Sequence, residues 1–149
     1  VTLFAGSSAK LAEFDPQGFA VIDSTEPMAI MSEIWDACGI GKGRRDVMRR
    51  ANGVKACFLG RMDDQPAGVT YVGCDDDLAM MHALEILPDM RRKGLALQMM
   101  GATSAWAARN GADTFTLVVL TANDAACGLY RKLGMVEVSK YHYRIKDTL

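Results

Sequence analysis

Histidine is scarce in this chain: His82 and His142 are the only two in 149 residues. The cysteines are few as well. Cys38, Cys57, Cys74 and Cys127 include no C-x-x-C pair, and each sits among apolar or small residues. These shortages argue against a zinc site or a disulfide framework and leave buried, reduced thiols, which point to the cytoplasm. No sign of charge dominates. Lys plus Arg number 17 and Asp plus Glu 18, a net charge of −1, so no global attraction to nucleic acid or membrane is expected. No apolar run is long enough to span a bilayer. Residues 1–9 are apolar and small but lack the basic segment of a signal peptide. There is no internal repeat and no low-complexity tract. Position 1 is Val, not Met, which suggests a trimmed chain or part of a longer protein.

What is present is a core. Half of the residues are hydrophobic and the length suits one domain. Residues 1–18 are ambiguous, with Asp15-Pro16-Gln17-Gly18 as a turn. Residues 19–22 read as a short strand. Residues 27–38 read as a helix, with Pro27 in its first turn and Met28, Met31, Ile34 and Trp35 at helical spacing. A glycine-rich break at 39–43 precedes a second short helix over 44–51. The period then changes. Residues 54–61 and 67–73 read as strands around an Asp63-Asp64-Gln65 turn, and 78–87 as a third strand after Asp75-Asp76-Asp77. Residues 94–110 are helical and Gly111 stops them. Residues 115–120 form a nearly unbroken apolar run, as expected of a central strand. Asn123 or Asp124 caps a further helix that ends at Gly134, and residues 136–146 are strand-like. The order is β-α-α-β-β-β-α-β-α-β: an α/β fold whose mixed sheet is antiparallel in its first half, with a parallel crossover around the helix at 94–110.

One stretch carries chemistry. Arg91-Arg92-Lys93-Gly94-Leu95-Ala96 lies between a strand and a helix. A helix start offers amides without intrahelical partners at the positive end of the dipole, and such a place binds phosphate. Gly94 permits close approach of an anion, Ala96 leaves room, and the basic side chains strengthen the field. Downstream stand Asn123 and then Leu129-Tyr130-Arg131-Lys132-Leu133-Gly134-Met135.

Together these resemble the GNAT acyltransferase superfamily, whose acetyl-CoA signature is Arg/Gln-x-x-Gly-x-Gly/Ala on a strand-to-helix turn. The resemblance covers about residues 19–146 and is sharpest over 78–135, so residues 1–18 are set apart as an N-terminal extension or the end of a preceding domain, and 19–149 as the acetyltransferase domain. It implies the GNAT fold, with splayed parallel central strands flanked by helices. It implies acetyl-CoA as co-substrate, no metal, and an amine-bearing acceptor, small molecule or protein. A homodimer is compatible with it. The pantetheine arm would pair with backbone groups of Leu84, Glu85 and Ile86. The pyrophosphate would sit on the amides of Arg91, Arg92, Lys93, Gly94, Leu95 and Ala96, and Asn123 would touch the pantetheine arm.

By the same resemblance Tyr130 is the general acid at the leaving thiolate; its spacing also fits the apolar face of its helix. A base must take a proton from the acceptor ammonium. No carboxylate lies in Leu117-Val118-Val119-Leu120, which leaves Glu85, on the Met81–Ala83–Glu85 face if alternation holds, with His82 on the other. Glu85 also fits a structural ion pair, and some relatives need no dedicated base. The ending Tyr141-His142-Tyr143-Arg144 resembles that of bacterial GNAT proteins, some of which carry this domain after another.

Gly39-Ile40-Gly41-Lys42-Gly43-Arg44 lacks the Gly-Lys-Ser/Thr ending of a nucleotide loop and follows a helix. In this fold it would flank the acceptor pocket. Arg45, Arg49 and Arg50 would favour an acidic or phosphorylated acceptor, or form a solvated helix face. The expected function is N-acetyl transfer from acetyl-CoA to a primary amine by direct attack in a ternary complex. The alternative is a catalytically silent acyl-CoA-binding or regulatory module.

Overall fold

The computed structural model describes residues 1–18 and 20–146. Asp63 and Asp64 both take left-handed backbone angles, φ 48° and 60°, the mirror-type turn whose twist matches that of paired strands. They join β3 (Val54–Met62) to β4 (Gln65–Asp75), which pair antiparallel from Val54↔Cys74 to Met62↔Gln65. Asp76, at φ 50°, turns the chain into β5 (Leu78–Ile86). Before this meander come β1 (Thr2–Ser7), a single helical turn α1 (Ser8–Leu11), β2 (Val21–Ser24), α2 (Ala29–Ala37) and α3 (Lys42–Arg50). After it come a 3-10 turn (Pro88–Met90), α4 (Leu95–Arg109), β6 (Thr114–Val119), α5 (Asp124–Lys132) and β7 (Val136–Lys140).

These strands form one seven-stranded sheet in the order β2-β3-β4-β5-β6-β1-β7. Among the described residues only β5 and β6 pair in parallel; every other neighbouring pair is antiparallel. Two apolar clusters hold the layers together. One joins Leu95, Met99, Met100 and Trp106 of α4 to Phe58, Val72, Met81, Phe115 and Leu117 of the sheet. The other joins Met31, Ile34 and Trp35 of α2 and Met48 of α3 to Leu59, Val69 and Tyr71. Period-2 alternation along β4 explains the division: Val72 faces the first cluster, Val69 and Tyr71 the second. Gly101 lets the segment after α1 lie directly on α4, because a Cβ there would stand 2.2 Å from the Phe14 carbonyl carbon.

The α/β class and the mixed sheet agree with the sequence reading. Some boundaries differ. The first strand expected, at 19–22, is β2 at Val21–Ser24, and Phe19 lies outside the described residues. Residues 1–18 had been set apart, yet Thr2–Ser7 lies inside the sheet between β6 and β7. A strand was expected over 136–146. It ends at Lys140, which pairs with Thr2, the first residue of β1. Residues 141–146 have no regular structure, although Tyr141 N donates to Val1 O at 2.9 Å, and 147–149 lie outside the described residues.

Candidate active site

The site begins as a break in pairing. β5 and β6 are in register from Leu78↔Thr114 to Met81↔Leu117, and His82 to Ile86 have no partner on β6. Within the same segment β5 carries a bulge. Tyr71 pairs with His82 and Val69 with Glu85, so Ala83 and Leu84 both stand opposite Thr70. Ala83 has φ 51°, a left-handed angle that costs a non-glycine residue roughly 1–3 kcal/mol and is held by its surroundings. Those surroundings are specific. Trp35 Nε1 donates to Ala83 O at 2.9 Å, and Thr70 Oγ1 donates to His82 O at 2.9 Å.

The bulge breaks the alternation used to orient Glu85 and His82. Directly opposed residues of an antiparallel pair share a face. His82 therefore lies with Tyr71, and Glu85 with Val69, on the face covered by α2 and α3; the two do not point apart. Leu84 and Ile86 lie against the α4 cluster instead.

Beyond β5 the chain forms the expected strand-to-helix turn. Arg92 and Gly94 take left-handed angles, φ 65° and 87°. Among the described residues, no acceptor takes the backbone amides of residues 92–97; the first amide bonded is that of Gln98, to Gly94 O at 3.2 Å. Amides curled around left-handed residues at a helix start form an anion-binding concavity. A Cβ at Gly94 would meet nothing within 4 Å, so it is the left-handed angle and not crowding that suits glycine there. Arg91 differs from its neighbours. Its amide donates to Pro88 O at 3.3 Å and its Nε to Ile86 O at 2.9 Å. The open amides thus start one residue later than expected, at Arg92. Arg92 and Lys93 are exposed.

Asn123 caps α5, with Oδ1 accepting from Ala126 N at 3.2 Å. This cap orients the helix that carries Tyr130. The Tyr130 ring packs against Phe4 of β1 at 5.6 Å between centroids, so the inserted N-terminal strand forms part of its bed. The residue is 7% exposed. Among the described residues its hydroxyl has no hydrogen-bond partner. Burial pushes the phenol up to about 12, with Cys127 and Glu85 adding to the effect.

Among the described residues Glu85 makes no ion pair. Burial pushes its carboxyl above the usual carboxylate range, and the Arg91 and Arg44 guanidinium groups pull it back. Burial and Arg44 both lower His82, favouring the neutral imidazole. Cys38, at the end of α2, is raised by burial and then by Glu85, while Arg91 lowers it.

Sequence reasoning gave no site role to Cys38 or Trp35, missed the bond from the Arg91 side chain to Ile86 O, and read Arg44 only within a basic run. Only the Gly39–Arg44 segment, read as flanking an acceptor pocket, pointed toward them. Arg45, singled out earlier, is tied to Asp36 at 2.5 Å and to Ile40 O, and Arg49 to Asp46 at 3.3 Å. Among the described residues no group of three His, Cys, Asp or Glu side chains could hold a metal ion, and no helix is long and apolar enough to cross a membrane.

Comparison with known proteins agrees with this geometry. Residues 17–135 match the model of the acetyltransferase (GNAT) family. The chain is 30% identical over 105 residues to the uncharacterized N-acetyltransferase YobR of Bacillus subtilis (strain 168). That match covers 70% of this chain and 42% of the relative, so the chain spans less than half the length of the curated protein it resembles. Among solved structures, a functionally unknown conserved protein from Staphylococcus epidermidis superposes with a TM-score of 0.67 at 14% identity, over 92% of this chain and 57% of the other. The aminoglycoside N-acetyltransferase AAC(6')-Iy, solved in complex with CoA, superposes with a TM-score of 0.64 at 18% identity, over 86% of this chain and 99% of the other. The phosphate-type turn, the opened central strands and a family match across most of the chain lead to one conclusion: this protein belongs to the GNAT acetyltransferase family.

Proposed function

We propose that the chain transfers an acetyl group from acetyl-CoA to a primary amine, by direct attack within a ternary complex. The observation that carries this reading is the run of open amides at residues 92–97, beside the unpaired edge of β5. The pyrophosphate would sit on those amides, with Arg92 and Lys93 adding charge. The pantetheine arm would run along the free edge at Leu84, Glu85 and Ile86, with Asn123 on its other side. That path would bring the thioester between Glu85 and Tyr130.

The acceptor amine attacks the thioester carbon, a C–N bond forms, and the C–S bond breaks. Glu85 takes a proton from the acceptor ammonium, directly or through water. Its raised carboxyl is a stronger base than an ordinary glutamate, though still ionised only above its own pKa. Tyr130 meets the departing thiolate. A CoA thiol near ~8.5, by analogy with cysteine, is far more acidic than a phenol at about 12. Full proton transfer from Tyr130 is therefore uphill. The phenol instead donates a hydrogen bond to the sulfur as charge develops, and the second proton, shed by the nitrogen as it becomes the amide, passes through water to the thiolate.

Calorimetry with acetyl-CoA tests the phosphate assignment. Gly94→Asp should abolish binding by placing a carboxylate before the amides. Gly94→Asn imposes the same backbone angle without the charge and should bind detectably. Unchanged affinity in a folded Gly94→Asp variant would overturn the assignment.

A further inference from the structure

The charges on the α2–α3 side of the β5 opening do not cancel. Glu85 is the carboxylate there, placed by its register with Val69. Arg91 is bound back onto Ile86 O, which keeps its guanidinium at the end of β5, one residue beyond Glu85. Arg44 stands in the first turn of α3, whose Met48 packs in the same cluster as Val69 and Tyr71, the register partners of Glu85 and His82. None of Arg44, Arg91 and Glu85 has an ion-pair partner among the described residues. By contrast Lys42, Arg45 and Arg49 of the same α2–α3 segment are paired with Asp46 or Asp36. With His82 neutral, two guanidinium groups face one carboxylate.

A polycationic amine would add positive charge to a region already in excess. An amine that also carries an anion supplies both poles. Its ammonium matches the carboxylate, and its anion matches the planar donors of the arginines, which bind carboxylate and phosphate in bidentate fashion. We propose that the acceptor is a small primary amine bearing a carboxylate or phosphate near the amine, its anion held by Arg44 and Arg91 while Glu85 receives its ammonium. This rests on the acetyl-transfer reading and narrows its substrate class. It also sets the chain apart from AAC(6')-Iy, whose name describes an aminoglycoside substrate.

The test measures thiol release from acetyl-CoA with matched acceptors: amino acids against their neutral amides, phosphorylated amines against the parent alcohols, and polyamines or aminoglycosides. Wild-type kcat/KM should favour the anionic member of at least one matched pair. The preferred pair tells carboxylate from phosphate. Arg44→Gln should shrink that preference roughly tenfold, the scale of one charge-assisted contact, mainly through KM. Arg44→Glu should reverse it toward cationic amines. Arg44 is exposed and unpaired among the described residues, so melting curves of both variants should match wild type. Equal or better turnover of amides, alcohols or polyamines by wild type would overturn this proposal alone. So would an unchanged preference in both Arg44 variants. Acetyl-CoA binding with no release to any amine would instead overturn acetyl transfer, and this proposal with it.

Discussion

Trp35 Nε1 donates to the carbonyl oxygen of Ala83 at 2.9 Å, pinning helix α2 to the bulge that opens β5. The bond is buried, and Ala83 holds a left-handed angle that alanine would not choose alone. One interaction thus couples the packing of α2 to the shape of the β5 segment that has no partner on β6.

Trp35→Phe keeps an aromatic ring and deletes that donor. The Ala83 carbonyl would be left unpaired and buried, at a cost of about 1–3 kcal/mol. Urea unfolding should show the loss as a lower midpoint with an unchanged slope. Turnover should fall as well, because Glu85 hangs on the same bulge. An unchanged midpoint would mean that Thr70 and the sheet hold the bulge without help.

Glu85→Gln separates a base from a structural carboxylate through pH. Burial raises the Glu85 carboxyl, so ionising it costs the folded chain more than the unfolded one. Its contribution to stability is full at acid pH, below the unfolded carboxylate pKa, and is lost as pH rises through the raised value. Gln has no such dependence. The variant should therefore be more stable relative to wild type at neutral pH than at acid pH, as melting curves will show. Turnover should behave differently. If Glu85 is the base, the variant should be impaired most at low pH, where free amine is scarce, and rising pH should partly restore it. A wild-type pH–rate profile in the folded variant would reject Glu85 and leave His82 or a water chain.

How much of this was legible depends on the range of the interaction. Gly94 and the turn around it are local chemistry, and so are the Asp63-Asp64 hairpin, the Asn123 cap and the helical spacing that puts Tyr130 on α5. All can be read within a few residues. The bulge at Ala83 is not local. It arises because Thr70 faces two residues of β5, and the run Met80-Met81-His82-Ala83-Leu84-Glu85 carries no glycine to mark it. The false orientation of His82 follows directly from assuming unbroken alternation. β1 was hidden for a stronger reason. Its partners, residues 114–119 and 136–140, lie at the far end of the chain, and its own six residues include Gly6, a weak strand signal. That glycine is there because a Cβ would stand 3.1 Å from the Met135 Cγ. Arg44 could be read only as part of one basic run with Arg45, Arg49 and Arg50, because the salt bridges that tie Arg45 to Asp36 and Arg49 to Asp46 appear only once α2 and α3 are placed.

The central claim is that this site transfers acetyl groups with Tyr130 at the leaving sulfur. The most direct measurement is thiol release from acetyl-CoA in the presence of amine acceptors, by wild type and by Tyr130→Phe, with acetyl-CoA affinity measured in parallel. Wild type should release CoA only when an amine is present. Tyr130→Phe, which removes one hydroxyl and keeps the ring against Phe4, should bind acetyl-CoA as wild type does and turn over roughly 10²-fold more slowly or worse. Full activity in Tyr130→Phe would return that residue to a packing role. Tight acetyl-CoA binding by wild type with no release to any amine would contradict the account and leave a silent acyl-CoA-binding module in its place.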